Sequence, residues 1–379
     1  MADRKTIVVL GSGKVGRLVT WFLADCGDYQ VVAVDMSEDA AQSAVTGQDG
    51  QPLPNATCAV ADIGSEQAVA NLLRDNNADY VLSCAPFHCN PAIAKAAVAT
   101  ETHYLDLTED VAVTKQVHEL SEGAKTAFIP QCGLAPGFIS IVANDLAKRF
   151  DKLDSLKMRV GALPIQPHNR LNYNLTWSTE GLINEYRHPC EAVVGGKLVT
   201  LPPLEDCEAI TIDGLAYEAF NTSGGLGSLA ETLAGKVNKL DYKSIRYPGH
   251  RDILKILMDD LKLHDDPDTM KMIFERALPY TFEDVVLVVV TAAGMQNGRY
   301  CQESYVNKIY NAELAGQRWS GIQITTASGL CAVLDLHASG KLSATGFVCQ
   351  EEVDFGDFLA NRFGKHYAMG ATKPPHVVG

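Results

Sequence analysis

Lys5-Thr6-Ile7-Val8-Val9-Leu10-Gly11-Ser12-Gly13-Lys14-Val15-Gly16 reads as a strand running into a Gly-x-Gly-x-x-Gly turn, and 19 residues beyond Gly16 the apolar run Val31-Val32-Ala33-Val34 ends in Asp35. Strand, glycine turn, helix, second strand and acid are the parts of a dinucleotide-binding βαβ unit. Each glycine answers a physical need. Gly11 permits the tight turn leaving the strand, and Gly13 lets backbone N–H groups approach a pyrophosphate. Gly16 lets the next helix sit close on the sheet with its N-terminus facing the phosphates. Ser12, Lys14 and Val15 complete the loop. Asp35 lies near the ~20-residue offset at which a carboxylate reaches the adenosine ribose hydroxyls. The same charge repels a 2′-phosphate, and no basic residue stands in Met36-Ser37-Glu38-Asp39, so the expected cofactor is NAD rather than NADP.

Outward from this stretch the βα alternation continues. Strands are predicted at 6–10, 30–35, 56–61, 79–85, 102–107 and 126–131, and helices at 14–26, 37–45, 65–75, 91–100 and 110–124. That order implies a Rossmann-type, doubly wound parallel sheet with right-handed crossovers. Ligands bind such sheets beyond the carboxyl ends of the strands. Asp62 and Ile63 follow the third strand, Cys84, Ala85 and Pro86 the fourth, Asp106 the fifth and Cys132-Gly133 the sixth. All but the last two groups are counted with Gly11–Gly16 and Asp35 as cofactor-binding candidates. Glu109 and Asp110 read as first-turn acids complementing a helix dipole.

The pattern changes after Gly133-Leu134-Ala135-Pro136-Gly137. A helix over 138–150 is followed by predicted strands at Leu156–Leu163, Leu171–Trp177, Ala192–Val199, Glu208–Ile212, Ala216–Asn221, Lys243–Tyr247, Val285–Thr291 and Arg299–Ile309. Gly195-Gly196 and Asp213-Gly214 suit hairpins, and helices are predicted at 179–187, 225–234 and 250–263. This is a second α+β domain on a largely antiparallel sheet, expected to bind substrate and to mediate dimerisation. Ser320–Leu334 and Asp354–Phe363 return to helix and are expected to fold back onto the nucleotide domain. The domains are therefore 1–135, completed by 318–379, and 136–317.

Whole-chain properties narrow the function classes. A chain of 379 residues, 46% hydrophobic and 21% charged, is long enough for two lobes of an ordinary globular enzyme. A net charge of −14 without any Lys/Arg cluster argues against nucleic acid. No run approaches the ~18 apolar residues that a membrane helix needs, and the immediate entry into a core strand leaves no room for a signal peptide. Ten cysteines are scattered without a CxxC pair or metal-ligand spacing. Reduced thiols, a cytoplasmic location and no metal are expected.

Several residues are candidates for chemistry. Lys95 lies in the helix after the fourth strand and could reach the cleft, although on spacing alone a solvated helix lysine is the commoner case. His88 is a candidate general base or substrate contact, although a helix-capping or merely polar histidine is the commoner case. Asp106 could orient Lys95 or a water, or serve as a structural acid. In the second lobe, His168–Trp177 is rich in polar and aromatic groups, and Asn172, Tyr173 and Trp177 suit a small polar ligand or a wet hairpin edge. Arg246 ends a strand before Pro248-Gly249-His250, where a guanidinium could grip a carboxylate bidentately or form a surface ion pair.

Together these segments resemble the saccharopine dehydrogenase and lysine 6-dehydrogenase superfamily over nearly the whole chain. The resemblance rests on Gly11–Gly16, on Ala92-Ile93-Ala94-Lys95-Ala96-Ala97 as the segment of the active-site lysine, and on the turn Gly133–Gly137. It extends to Arg246-Tyr247-Pro248-Gly249-His250 and to Phe358-Leu359-Ala360-Asn361-Arg362-Phe363 near the C-terminus. One departure is Ala135, where the glutamate-forming enzymes usually carry Asp, and this leans towards the lysine-dehydrogenase-like branch. The resemblance implies a nicotinamide-dependent dehydrogenase that oxidises a C–N bond to an imine, followed by hydration and collapse to carbonyl and amine. It implies Lys95 as acid–base group tuned by Asp106, with Pro136, Arg246 and His250 near an amino-acid substrate. Saccharopine is the expected substrate, with lysine 6-dehydrogenase and carboxynorspermidine-type activities as alternatives and a non-catalytic NAD sensor as the alternative of another class. A homodimer is expected.

Overall fold

Six short apolar runs in the first third become the strands β1 Lys5–Leu10, β2 Tyr29–Asp35, β3 Ala56–Val60, β4 Tyr80–Ser83, β5 His103–Asp106 and β6 Ala127–Ile129. The computed structural model describes residues 4–314 and 316–374; residues 1–3, 315 and 375–379, which the expected domain ranges include, lie outside it. Between the strands run helices α1 Gly16–Asp25, α2 Glu38–Ala44, α3 Glu66–Asp75, α4 Asn90–Thr100 and α5 Val111–Ser121. Their starts are written in side chains: Ser37, Ser65 and Asp110 each accept a backbone N–H from three residues ahead, which satisfies a donor the helix cannot. Asp110 is thus the N-cap of α5 rather than a first-turn acid, and the first turn of α5 holds no acid, which corrects the dipole reading of Glu109 and Asp110.

All ladders in this sheet are parallel, in the order Gly346–Phe347, β6, β5, β4, β1, β2, β3. Val8, Leu10, Val32, Val34, Val81 and Phe128 are buried against Ile93, Val69 and Val117 of the helices. The continuous apolar character of the strands follows from cover on both faces. The seventh strand comes from the far end of the chain, with Gly346 N–H donating to Thr126 O at 3.0 Å and Val348 N–H to Phe128 O at 2.9 Å. The tail segment Asn361-Arg362 is tied by Asp335, which accepts from Asn361 Nδ2 at 2.8 Å and from Arg362 Nη2 and the Tyr29 hydroxyl at 2.6 Å each.

Two compact units divide the chain. One runs up to Phe138 and resumes over Gln323–Ala368; the other takes Ile139–Leu314 with Arg318–Ile322. Helix α6 is Phe138–Ala147. In the second unit the strands are β7 Lys152–Pro164, β8 Cys190–Val194, β9 Lys197–Leu201, β10 Glu208–Ile212, β11 Leu215–Asn221, β12 Val237–Arg246, β13 Asp284–Gln296 and β14 Arg299–Tyr310. The sheet order is β10, β11, β12, β7, β13, β14, with β8 on β12 and β9 on β8; only β12 and β7 are parallel among these pairs. Helix α7, Thr179–Arg187, matches its predicted bounds.

Two predicted strands in this unit are corrected, and one helix is added. Leu171–Trp177 is not a strand. Asn169 bonds both backbone groups of Tyr173, donating to its carbonyl at 2.6 Å and accepting its N–H at 3.3 Å. Asn172 takes a left-handed φ of 53°, so local side-chain bonding displaces the ladder. Gly195 and Gly196, at φ 61° and 77°, turn the chain and split Ala192–Val199 into β8 and β9. The helix Pro267–Ala277 was not foreseen, although Asp266 caps it by accepting from Thr269 N–H at 3.0 Å and Pro267 sits in its first turn. No helix among the described residues is long and apolar enough to cross a membrane.

Candidate active site

The nucleotide loop shows why its glycines are glycines. A Cβ on Gly11, which has φ 95°, would lie 2.7 Å from Cys84 O, and one on Gly16 would lie 1.8 Å from Gly11 O. Those two positions are closed by the protein itself. Gly13 differs, because a Cβ there would meet nothing within 4 Å and its φ is not left-handed. The space it leaves is not filled by protein, as expected of an opening for a ligand. Helix α1 begins just beyond with no side-chain cap and no acid in its first turn, which is the arrangement of a helix N-terminus suited to an anion. Gln323 steadies the loop by donating from Nε2 to Lys14 O at 3.0 Å.

Asp35 stands at the end of β2 with both oxygens oriented. Ser12 N–H donates to one at 2.8 Å and Ser37 N–H to the other at 3.0 Å. Each oxygen keeps a lone pair for a ribose hydroxyl. Beside the loop, Cys84 N–H donates to Leu10 O at 2.8 Å, and burial pushes its thiol up to about 12, which removes a nucleophilic role at neutral pH. Ala85 is half-buried and Pro86 exposed. Asp62 is exposed and accepts Gly64 N–H at 3.0 Å, while Ile63 is buried. The structure thus brings Gly11, Gly16, Cys84 and Ala85 together around one turn.

The expected acid–base pair does not form. Asp106 is fully enclosed and accepts from the Tyr104 hydroxyl at 2.6 Å, Gln131 N–H at 2.8 Å and Thr108 N–H at 3.0 Å. Burial raises it to about 6, against the lowering effect of those three bonds. Lys95 is not among its partners; it is exposed on α4. Asp106 therefore orders the ends of β5 and β6, a role invisible from its place at a strand end. His88 is exposed beside the Phe87 ring. Pro136 is buried in a turn that closes on itself: a Cβ on Gly137 would lie 2.2 Å from Gly133 O, and one on Gly329 would lie 2.7 Å from Cys132 O. The Gly133–Gly137 turn is closely packed around Pro136.

The second unit carries a buried polar cluster. Arg246 ends β12 and is 3% exposed, not the surface residue that the ion-pair alternative required. Its guanidinium lies 5.1 Å from the Tyr173 ring centroid and 5.7 Å from that of Tyr186. Nε donates to the Tyr186 hydroxyl at 2.9 Å, and Nη1 donates to Ile245 O at 2.8 Å. Nη2 stands 4.0 Å from Glu185 Oε2, beyond hydrogen-bond reach. The Nη2 edge therefore has no acceptor among the described residues. His250 is buried between Tyr186, at 3.1 Å from Nε2, and Leu171 O, at 2.8 Å from Nδ1. Burial, then Arg246, lowers it to about 3, so it is neutral. Trp177 Nε1 donates to the Tyr173 hydroxyl at 3.2 Å. Four predicted substrate residues, Tyr173, Trp177, Arg246 and His250, thus meet; Asn172 is half-buried at the adjacent turn. Glu185 and Tyr186 were missed, because on α7 they occupy ordinary amphipathic positions and no local pattern marks them.

Comparison with known proteins covers both units. The family model "Saccharopine dehydrogenase NADP binding domain" matches residues 7–129, and "Saccharopine dehydrogenase C-terminal domain" matches residues 133–366. The mitochondrial alpha-aminoadipic semialdehyde synthase of Mus musculus is 22% identical over 370 residues, 90% of this chain but 38% of that protein. The saccharopine dehydrogenase [NADP(+), L-glutamate-forming] of Saccharomyces cerevisiae is 25% identical over 279 residues, 69% of this chain and 59% of that one. The chain thus spans less than two thirds of the curated relatives it matches. In fold it is similar to the apo histidine-tagged saccharopine dehydrogenase (L-Glu forming) from Saccharomyces cerevisiae, with a TM-score of 0.73, 17% identity, and coverage of 93% of this chain and 96% of that one.

Proposed function

The chain belongs to the saccharopine dehydrogenase family, and from that premise we propose that it is an NAD-dependent dehydrogenase oxidising the C–N bond of saccharopine or a close lysine derivative. The observation that carries the substrate half of this reading is the open Nη2 edge of Arg246. Nη2 makes no hydrogen bond to the described residues and only a 4.0 Å ion pair with Glu185, and a substrate carboxylate would supply an acceptor with the matching planar geometry.

When bound, a nicotinamide dinucleotide supplies the hydride acceptor. The backbone of Gly11–Gly16 and the uncapped start of α1 would hold its pyrophosphate, and Asp35 its ribose hydroxyls. The strand-end residues Asp62, Ile63, Cys84, Ala85 and Pro86 would line the nucleotide. The Saccharomyces cerevisiae relative and the family model of the first domain are named for NADP, but NAD is proposed because Asp35 would meet a 2′-phosphate with like charge. Lys95, exposed on α4 with no carboxylate partner among the described residues, is proposed to take and return the substrate proton. The second unit would bind substrate and join two copies into a cytoplasmic homodimer, an assembly that light scattering tests.

The activity is tested by offering saccharopine, lysine, ornithine and carboxynorspermidine with NAD and following NADH formation by absorbance. Saccharopine should give the highest kcat/KM. Reduction with none of them, alongside tight NADH binding, would replace the enzyme reading with that of a dinucleotide sensor.

A further inference from the structure

We propose that Tyr186 and His250 are positioning residues that aim the open edge of Arg246, a role that rests on the carboxylate reading above. Leu171 O can only accept, so His250 Nδ1 carries the proton and donates to it at 2.8 Å. The neutral ring then presents a bare Nε2, and the Tyr186 hydroxyl at 3.1 Å must donate to it. With its proton committed, the Tyr186 oxygen turns its lone pairs to Arg246 Nε at 2.9 Å. Every hydrogen-bond direction in the relay is set by one backbone carbonyl.

The relay matters because a guanidinium is planar. Fixing Nε to Tyr186 and Nη1 to Ile245 O leaves no rotation that keeps both bonds. The plane is further held between the Tyr173 and Tyr186 rings. Nη2 is the corner that no protein bond fixes, and its direction is inherited from the other two. Losing the Tyr186 hydroxyl removes the bond that fixes Nε, and with it the direction of Nη2, which now stands 4.0 Å from Glu185 Oε2.

Tyr186→Phe keeps the ring and removes both relay bonds. The expected result is a KM for saccharopine raised about tenfold or more, as for loss of a hydrogen bond to a charged group, with kcat within about twofold and KM for NAD unchanged. In an Arg246→Lys background, which has no planar fork to aim, the same change should add nothing. A merely structural tyrosine would lower kcat and thermal stability together and would act additively with Arg246→Lys. Should Tyr186→Phe not fold, a second pair decides: His250→Gln offers an acceptor to the Tyr186 hydroxyl and should bind saccharopine more tightly than His250→Leu. Equal KM values for that pair overturn the relay. Arg246→Ala separates the two readings. If it leaves KM unchanged, the carboxylate grip falls; if it raises KM while Tyr186→Phe does not, the grip stands and the relay falls.

Discussion

Asp35 shows how a single side chain sets a cofactor preference. Its oxygens are turned by Ser12 N–H and Ser37 N–H, and its neighbour Met36 is 64% exposed and uncharged. Replacing Asp35 with Ser and Met36 with Arg should move the kcat/KM ratio towards NADP by about tenfold or more, the scale of one charge-assisted bond. A wild type that already prefers NADP would end the assignment. For Lys95→Met, turnover should fall by ~10² to 10⁴ with NADH affinity unchanged, the usual share of proton transfer; near-full activity across pH removes Lys95 from the mechanism. Asp35 was legible because its meaning lies in a fixed offset from a glycine turn. Asp106 was not, since an acid closing a strand looks the same whether it faces a ligand or is enclosed by Tyr104, Thr108 and Gln131. The partners of Arg246 were hidden for a related reason: Glu185 and Tyr186 arrive from another element.

At the level of the element, the glycine loop separates packing from binding. Gly16→Ala places a methyl group 1.8 Å from Gly11 O, and such overpacking costs about 1–3 kcal/mol or more, so thermal unfolding should come earlier. Gly13→Ala meets no atom within 4 Å and should change stability by no more than about 0.5 kcal/mol, yet weaken NADH binding severalfold in a fluorescence titration. If Gly13→Ala destabilises as much as Gly16→Ala, its space is structural. The parallel strands were readable because their apolar runs are unbroken and bounded by Gly, Pro and Asp. Leu171–Trp177 misled because Asn169 and Asn172 divert its backbone, and side-chain competition of that kind leaves the residue pattern unchanged.

Across the molecule, titration links the fold to pH. Burial, first of all, lowers His103 and His366 to about 4 and His250 to about 3, whereas an unfolded histidine titrates near ~6.5. Folded values below the unfolded one mean stability that is present above ~6.5 and lost as pH falls through ~4. Burial also raises Asp106 to about 6 and Asp284 to about 7, which favours the fold as pH falls and so opposes the histidines. Three histidines against two acids leave a net loss, so the urea midpoint should be lower at about pH 5 than at neutral pH; a flat or rising midpoint would contradict these burials. The two-sheet architecture was legible in the switch from βα alternation to hairpins.

The seventh strand of the first sheet carries a consequence for biosynthesis. Ile129 ends β6, and its neighbour Gly346–Phe347 lies 217 residues later in the chain. At ~5–20 residues per second of translation, the ribosome needs about 10 to 40 s to deliver that partner. Throughout this interval β6 is a bare sheet edge, the kind of surface that recruits stray strands. The nascent nucleotide unit therefore emerges in an order that leaves its last seam open until Gly346 and Phe347 have been made.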